Sequence, residues 1–207
     1  MTAKTLERRD VIIGTIIVVL LAGTFAYLGG KPLILTFVPV VFVTWIVFIY
    51  MYVKGTELPK GSYFLPFFLA MLAWQLIHFS EEFVTNFYTL FPELYGSAPY
   101  TPNIFVTFNM VAYFVFAIAC ILVFTRNIKF LLVPVLFFIL YAGMGNVIAH
   151  TWWVILERSY FPGFYTAQVY WILGPLTLSA LIGSEKNALI VMALIAAILS
   201  PLLIIFM

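Results

Sequence analysis

The sequence predicts an all-α fold, a polytopic bundle of membrane-spanning helices, and three observations predict it. Of 207 residues, 65% are hydrophobic and only 9% charged. A water-soluble domain carries roughly a quarter charged residues to cover its surface, so the exterior here must be apolar and its solvent lipid. Apolar runs close to the ~20 residues that cross a hydrocarbon core recur along the chain. The breaks between them are short and turn-like, with no stretch able to act as a linker, so residues 1–207 read as one transmembrane domain.

Taken in order, the apolar segments fall at residues 11–28, 33–53, 63–91, 102–124, 128–156, 160–183 and 188–206, which makes seven spans. The first follows Lys4, Arg8 and Arg9, is longer than a typical signal-peptide core and has no small-residue cleavage site after it, so it reads as a retained anchor. Gly29-Gly30-Lys31-Pro32 separates the first span from the second, and Gly55 to Gly61 the second from the third. Gly96 to Pro102, Thr125-Arg126-Asn127 and Ser184 to Asn187 are the other turn signals. The third and fifth segments are over-long and are expected to tilt or project. Pro39, Pro66, Pro134, Pro175 and Pro201 are sites where kinks are expected. Cys120, the one cysteine, sits in an apolar run and reads as a packed thiol, which excludes an intramolecular disulfide.

Lys and Arg set the orientation. Lys4, Arg8, Arg9, Lys54, Lys60, Arg126, Lys129 and Lys186 fall on one side, and Lys31 and Arg158 on the other. Eight against two places the N-terminus in the cytoplasm and the C-terminus outside, as in a multi-pass protein of the plasma membrane. The net charge of +2 forms no basic face, so no nucleic acid is expected as partner; membrane lipids are.

Ionisable residues inside spans are expensive and call for a partner or a purpose. Both histidines of the chain lie inside spans. His78 opens His78-Phe79-Ser80-Glu81-Glu82 in the third, and His150 closes Asn146-Val147-Ile148-Ala149-His150 in the fifth. Residues three, four and seven apart share a helix face. Gln75, His78, Glu82 and Asn86 therefore form one stripe with Glu81 beside it, and Asn146 stacks on His150. Both motifs lie in the outer halves of parallel spans, and Pro162-Gly163-Phe164-Tyr165-Thr166 enters the sixth span at a similar depth. Asn109 and Gln168 can line the same cavity but read more simply as amides that glue helices together. Trp74, Trp152, Trp153 and Trp171 read as packing or interfacial belt. The outer connection with Glu93, Tyr95 and Tyr100 is placed to cover the site.

These residues resemble the HXXEE family of integral membrane proteins. The chain carries the name motif as His78-x-x-Glu81-Glu82, an NxxxH motif as Asn146/His150 and a PGxxT motif as Pro162-Gly163/Thr166, in family order over residues 63–183. The resemblance implies a catalytic use of these motifs and brings no established reaction with it.

Two imidazoles and two carboxylates at helical spacing suit zinc, iron or manganese. His78, Glu82 and His150 are the expected ligands, with Glu81 a further ligand or the general base and Asn146 orienting substrate. Gln75, Asn109, Tyr165 and Thr166 are expected to line the substrate site. Two histidines are too few for the His-rich clusters of membrane desaturases. The reading preferred on sequence is a membrane-embedded, metal-dependent enzyme acting on a lipid or lipid-like substrate, with hydrolysis the favoured chemistry. Metal-free Glu/His acid–base chemistry, as in an intramembrane protease or isomerase, is the alternative. The EExxxR pattern of CAAX-type proteases, however, would require Arg where Asn86 stands. A proton-coupled transporter or a ligand- or haem-binding membrane protein is a third class.

Overall fold

The computed structural model describes residues 5–207, which are helical throughout apart from short connections and contain no strand. Lys4, one of the cations counted above, lies outside the described residues. The order is α1 (Arg8–Val53), α2 (Gly61–Val84), α3 (Phe87–Leu94), α4 (Pro102–Arg126), a single 3₁₀ turn (Lys129–Leu131) and α5 (Leu132–Phe137). A π-helical stretch (Phe138–Gly145), α6 (Asn146–Glu157), α7 (Phe164–Ala167), α8 (Tyr170–Ile182) and α9 (Glu185–Phe206) follow. Five helical stretches are long and apolar enough to cross a membrane: α1, α2, α4, the continuous run Lys129–Glu157 and α9.

Local chemistry explains the boundaries. The α1 N-terminus is closed by Glu7 N–H donating to Asp10 Oδ2 at 2.9 Å, a reciprocal cap across the first turn. Lys129 reaches the same corner, 2.7 Å from Glu7 Oε1 and 3.6 Å from Asp10 Oδ2, and its ammonium also donates to Thr5 O. Thr101 caps α4 by accepting from Ile104 N–H, with Pro102 preset for the first helical position. Ser184 caps α9 in the same way through Asn187 N–H.

Helix α1 is 46 residues long but not straight. Gly30 leaves helical geometry at φ 60°, ψ −155°, a conformation open to glycine and costly for other residues. The chain reverses there: Trp45 Nε1 donates to Thr15 Oγ1 at 3.1 Å, a contact impossible in a straight rod, where 30 residues span ~45 Å. The sequence break at Gly29-Gly30-Lys31-Pro32 is thus a reversal between two antiparallel arms.

The third expected segment, 63–91, divides. Asn86 takes a left-handed conformation at φ 63°, ending α2 and starting the short α3, so Asn86 leaves the stripe that Gln75, His78 and Glu82 share. The sixth, 160–183, enters through the short α7 and continues as α8.

Residues 129–157 form the buried axis of the bundle, packed by α1, α4, α8 and α9. Its π-helical stretch adds a residue to the local turn and so resets the direction in which Asn146 and His150 face. Close approach to α8 is made possible by Gly143 and Gly174: a Cβ on Gly174 would lie 2.9 Å from Met144 Cγ. This backbone-to-backbone contact is the packing expected of small residues between helices in lipid.

Candidate metal centre

Helix α2 presents Gln75, His78 and Glu82 on its buried face, and α6 presents Asn146 and His150. Both imidazoles are fully buried, at 0% exposure. Glu82 Oε1 stands 3.3 Å from His78 Nε2 and 3.3 Å from His150 Nε2. Two donors bound ~2.0–2.1 Å from one tetrahedral ion lie ~3.3 Å apart, so two edges of the set already have the length that a shared metal imposes. All three donor atoms lie within 4.8 Å of one another, and this is the metal-competent group among the described residues.

Proton accounting defines His78. The Glu81 carboxylate accepts from Tyr160 OH (2.7 Å), Tyr165 N–H (3.2 Å) and Thr166 N–H (2.8 Å). It also receives the Thr166 hydroxyl proton at 2.5 Å. The Thr166 oxygen, having given its proton away, accepts from His78 Nδ1–H at 2.8 Å. In the neutral ring that leaves Nε2 as a lone pair directed at Glu82 and at Asn146, whose amide nitrogen is 2.7 Å away. Fixing the distal N–H of a histidine so that the other nitrogen faces the site is the usual support for a metal-ligating imidazole.

His150 is the anomaly. Neither of its ring nitrogens makes a hydrogen bond, although the ring is enclosed by Phe87, Trp153 and His78. Its polar neighbour is Glu82 Oε1, 3.3 Å from Nε2; a buried polar group left without a hydrogen bond costs ~1–3 kcal/mol, and a cation held between His150 and Glu82 would offset that cost.

Gly163 seals the third side. It sits at φ +83°, and a Cβ there would lie 2.6 Å from His150 Cε1, 2.9 Å from Glu82 Cγ and 2.9 Å from His78 Cε1. Only a bare backbone fits against all three groups at once. The two imidazoles meet edge to face with centroids 5.0 Å apart, an arrangement filled by Glu82 and Gly163 that leaves no slot for a haem plane.

The expected site residues thus separate into roles. His78, Glu82, His150 and Asn146 converge. Glu81 does not join them: successive helix residues diverge by ~100°, and its carboxylate is engaged by Tyr160, Tyr165 and Thr166 instead. Thr166 supports His78 rather than lining a cavity, and its carbonyl is held by Trp74 Nε1 at 2.9 Å. The Tyr165 ring is exposed, and only its backbone N–H touches the site. Gln75 is buried behind the centre, bridging Tyr170 OH (2.5 Å) and Tyr113 OH (3.1 Å). Tyr113 in turn donates to Asn109 Oδ1. Trp153, read from sequence as packing or belt, packs on His150 and donates to Tyr95 OH. Tyr160 and Tyr170 carried no sequence signal; their roles come from chain segments folded against α2.

A cavity of about 390 Å³ adjoins the centre. Glu82, Asn146 and Asn109 contribute its polar wall, and Phe37, Phe87, Phe105 and Phe108 are among its apolar walls. Tyr100, from the connection between α3 and α4, also lines it.

Fold and site together define an all-helical chain with membrane-length apolar helices and a buried His/Glu cluster beside an apolar cavity. No family model, curated protein or solved structure matches the chain.

Proposed function

We propose that the chain is a membrane-embedded enzyme in which His78, Glu82 and His150 hold one divalent transition metal and act on a lipid-like substrate, with hydrolysis as the reaction. The observation that carries this reading is the convergence of two imidazole nitrogens on one carboxylate oxygen at 3.3 Å each, with His150 otherwise unpartnered. The donor set, two nitrogens and one oxygen, suits zinc, iron or manganese. Such an ion supplies a Lewis acid and lowers the pKa of bound water. Glu81 and Thr166 hold His78 in the required tautomer. Asn146 faces the cavity, where its amide donates to a substrate carbonyl. Glu82 lines the same wall, and in this reading its second oxygen receives a proton. The lipid-like substrate is supported by the cavity's aromatic and aliphatic walls. The resemblance to the HXXEE family agrees with a catalytic role.

Seven spans, with the N-terminus cytoplasmic and the chain in the plasma membrane, is the topology that accompanies this reading. The two arms of α1 count as separate spans, and residues 164–182 supply the sixth.

Elemental analysis of purified protein tests the metal. About one equivalent per chain is expected, lost on His78→Ala and on His150→Ala while the protein remains monodisperse. Metal-free protein with undiminished activity would overturn it. One observation favours the metal-free alternative: Asn146 Nδ2 lies 2.7 Å from His78 Nε2, on the lone pair a metal would use. The amide must turn its oxygen inward, or move, for the ion to bind. Asn146→Asp is therefore expected to raise metal affinity under the metal reading. Under the acid–base reading it removes the donor that polarises the substrate.

A further inference from the structure

The cavity has a direction. Its floor is Glu82 and Asn146, each 6% exposed, and its rim is Leu28 of α1 and Ile104 of α4, 65% and 59% exposed. Between them the wall is aromatic and aliphatic, with Leu33, Phe37, Phe105 and Phe108. The rim lies at the Gly30 reversal, where α1 leaves helical geometry. Tyr100 OH donates to Gly29 O across this edge at 2.8 Å, strapping the outer connection to the reversal. Burial pushes the Tyr100 hydroxyl up to about 12, so it stays a donor at neutral pH. Leu28 closes the first apolar segment and Ile104 opens the fourth, so this apolar, exposed rim lies at the edge of the hydrocarbon layer, within reach of a molecule held in the bilayer.

Volume and charge narrow the occupant. At about 390 Å³ the cavity is near the lower end of the ~300–1,000 Å³ range of small-molecule sites, a size that suits a single-chain occupant. The described lining contains no Lys or Arg, and its one ionisable acid is Glu82. A phosphate or carboxylate head finds no Lys or Arg in the described lining, so its one counter-charge there would be an ion held by Glu82. An ester, amide or hydroxyl finds complementary groups: Asn146 donates to a carbonyl, and Glu82 accepts from an O–H or N–H.

We infer that the substrate is an uncharged, single-chain amphiphile that enters laterally between Leu28 and Ile104, polar group first, with its chain along the Phe37–Phe105–Phe108 wall. The inference rests on the reading of Glu82 and Asn146 as the reactive end of the site, but it makes its own claim about binding.

The test is saturable binding of radiolabelled 1-monooleoylglycerol to the full chain in nanodiscs. Competitors are oleate, 1-oleoyl-lysophosphatidic acid and dioleoylphosphatidylglycerol. We expect saturable binding, with each competitor at least tenfold weaker than unlabelled monooleoylglycerol. Ile104→Trp and Leu28→Trp, both at exposed rim positions, should each weaken binding at least tenfold. Ile190→Trp, exposed on α9 away from the lining, should not. Equal displacement by lysophosphatidic acid would overturn the charge argument, and unchanged binding in both rim variants would overturn the route. Absence of saturable binding to metal-replete protein would overturn the inference while leaving the metal centre standing. Conversely, retained binding by protein that purifies without metal would support the inference and remove the metal reading.

Discussion

Glu81 and Glu82 are adjacent in sequence and do different work, because one helix residue rotates the side chain by ~100°. Glu82 turns into the cluster and Glu81 into the loop that carries Tyr160, Tyr165 and Thr166. Thr166 joins the two halves by receiving from His78 and giving to Glu81. Thr166→Val should therefore weaken metal binding ~10–100-fold, the usual effect of losing a group that orients a ligand, while Thr166→Ser restores most of it. Competition with a metal indicator dye checks this; a valine variant that binds metal as tightly as wild type would show that the relay is idle. Gly163 makes a sharper case. Alanine there adds ~1–2 kcal/mol of left-handed backbone strain and a Cβ within 3 Å of all three proposed ligands. Gly163→Ala should lower both thermal stability and metal content. Normal content in a stable protein would mean that the Pro162–Thr166 loop can retreat without cost.

At the scale of elements, the contact between the π-helical stretch and α8 fixes where Asn146 and His150 point. Gly174 approaches Met144 too closely for a side chain, so Gly174→Leu should cost at least ~1–3 kcal/mol by overpacking. A fluorescence-detected melting series would read this as a clear fall in Tm. The N-terminal corner offers a pH test. Hydrogen bonding to the Lys129 ammonium, and then its charge, hold the Glu7 carboxyl below its ordinary range. A carboxyl with a lowered folded-state pKa stabilises the fold above its unfolded value, and loses that contribution as pH falls through the folded value. Glu7→Gln should thus differ from wild type at neutral pH and converge with it in acid. The effect should be small, since the Glu7 side chain is 61% exposed and solvent screens the pair. A difference that grew on acidification would contradict this assignment.

For the whole molecule, the seven-span reading predicts termini on opposite sides. A C-terminal reporter should be active outside, and one fused at the N-terminus active in the cytoplasm. A C-terminal fusion active only in the cytoplasm would reduce the count to six. Much of the architecture was legible because lipid imposes a simple rule: long apolar runs must satisfy their own backbone hydrogen bonds, so they become helices. Glycine at 30, proline at 102 and serine at 184 marked boundaries by their own conformational or capping chemistry. The end of α2 at Asn86 was not legible, because the hydropathy continues through Phe87 and only a left-handed residue divides it. The π-helical stretch left no composition signal either, since its residues are as apolar as those around it.

Helical spacing in the sequence was enough to pair His78 with Glu82 and Asn146 with His150, because residues four apart stack on one face whatever surrounds them. Only the tertiary structure decided that these two faces meet, that the Pro162–Thr166 loop closes over them, and that Glu81 stays out of the cluster. The physical reason is rotational: periodicity fixes which residues share a face, whereas the neighbours packed against a helix choose the direction in which that face points.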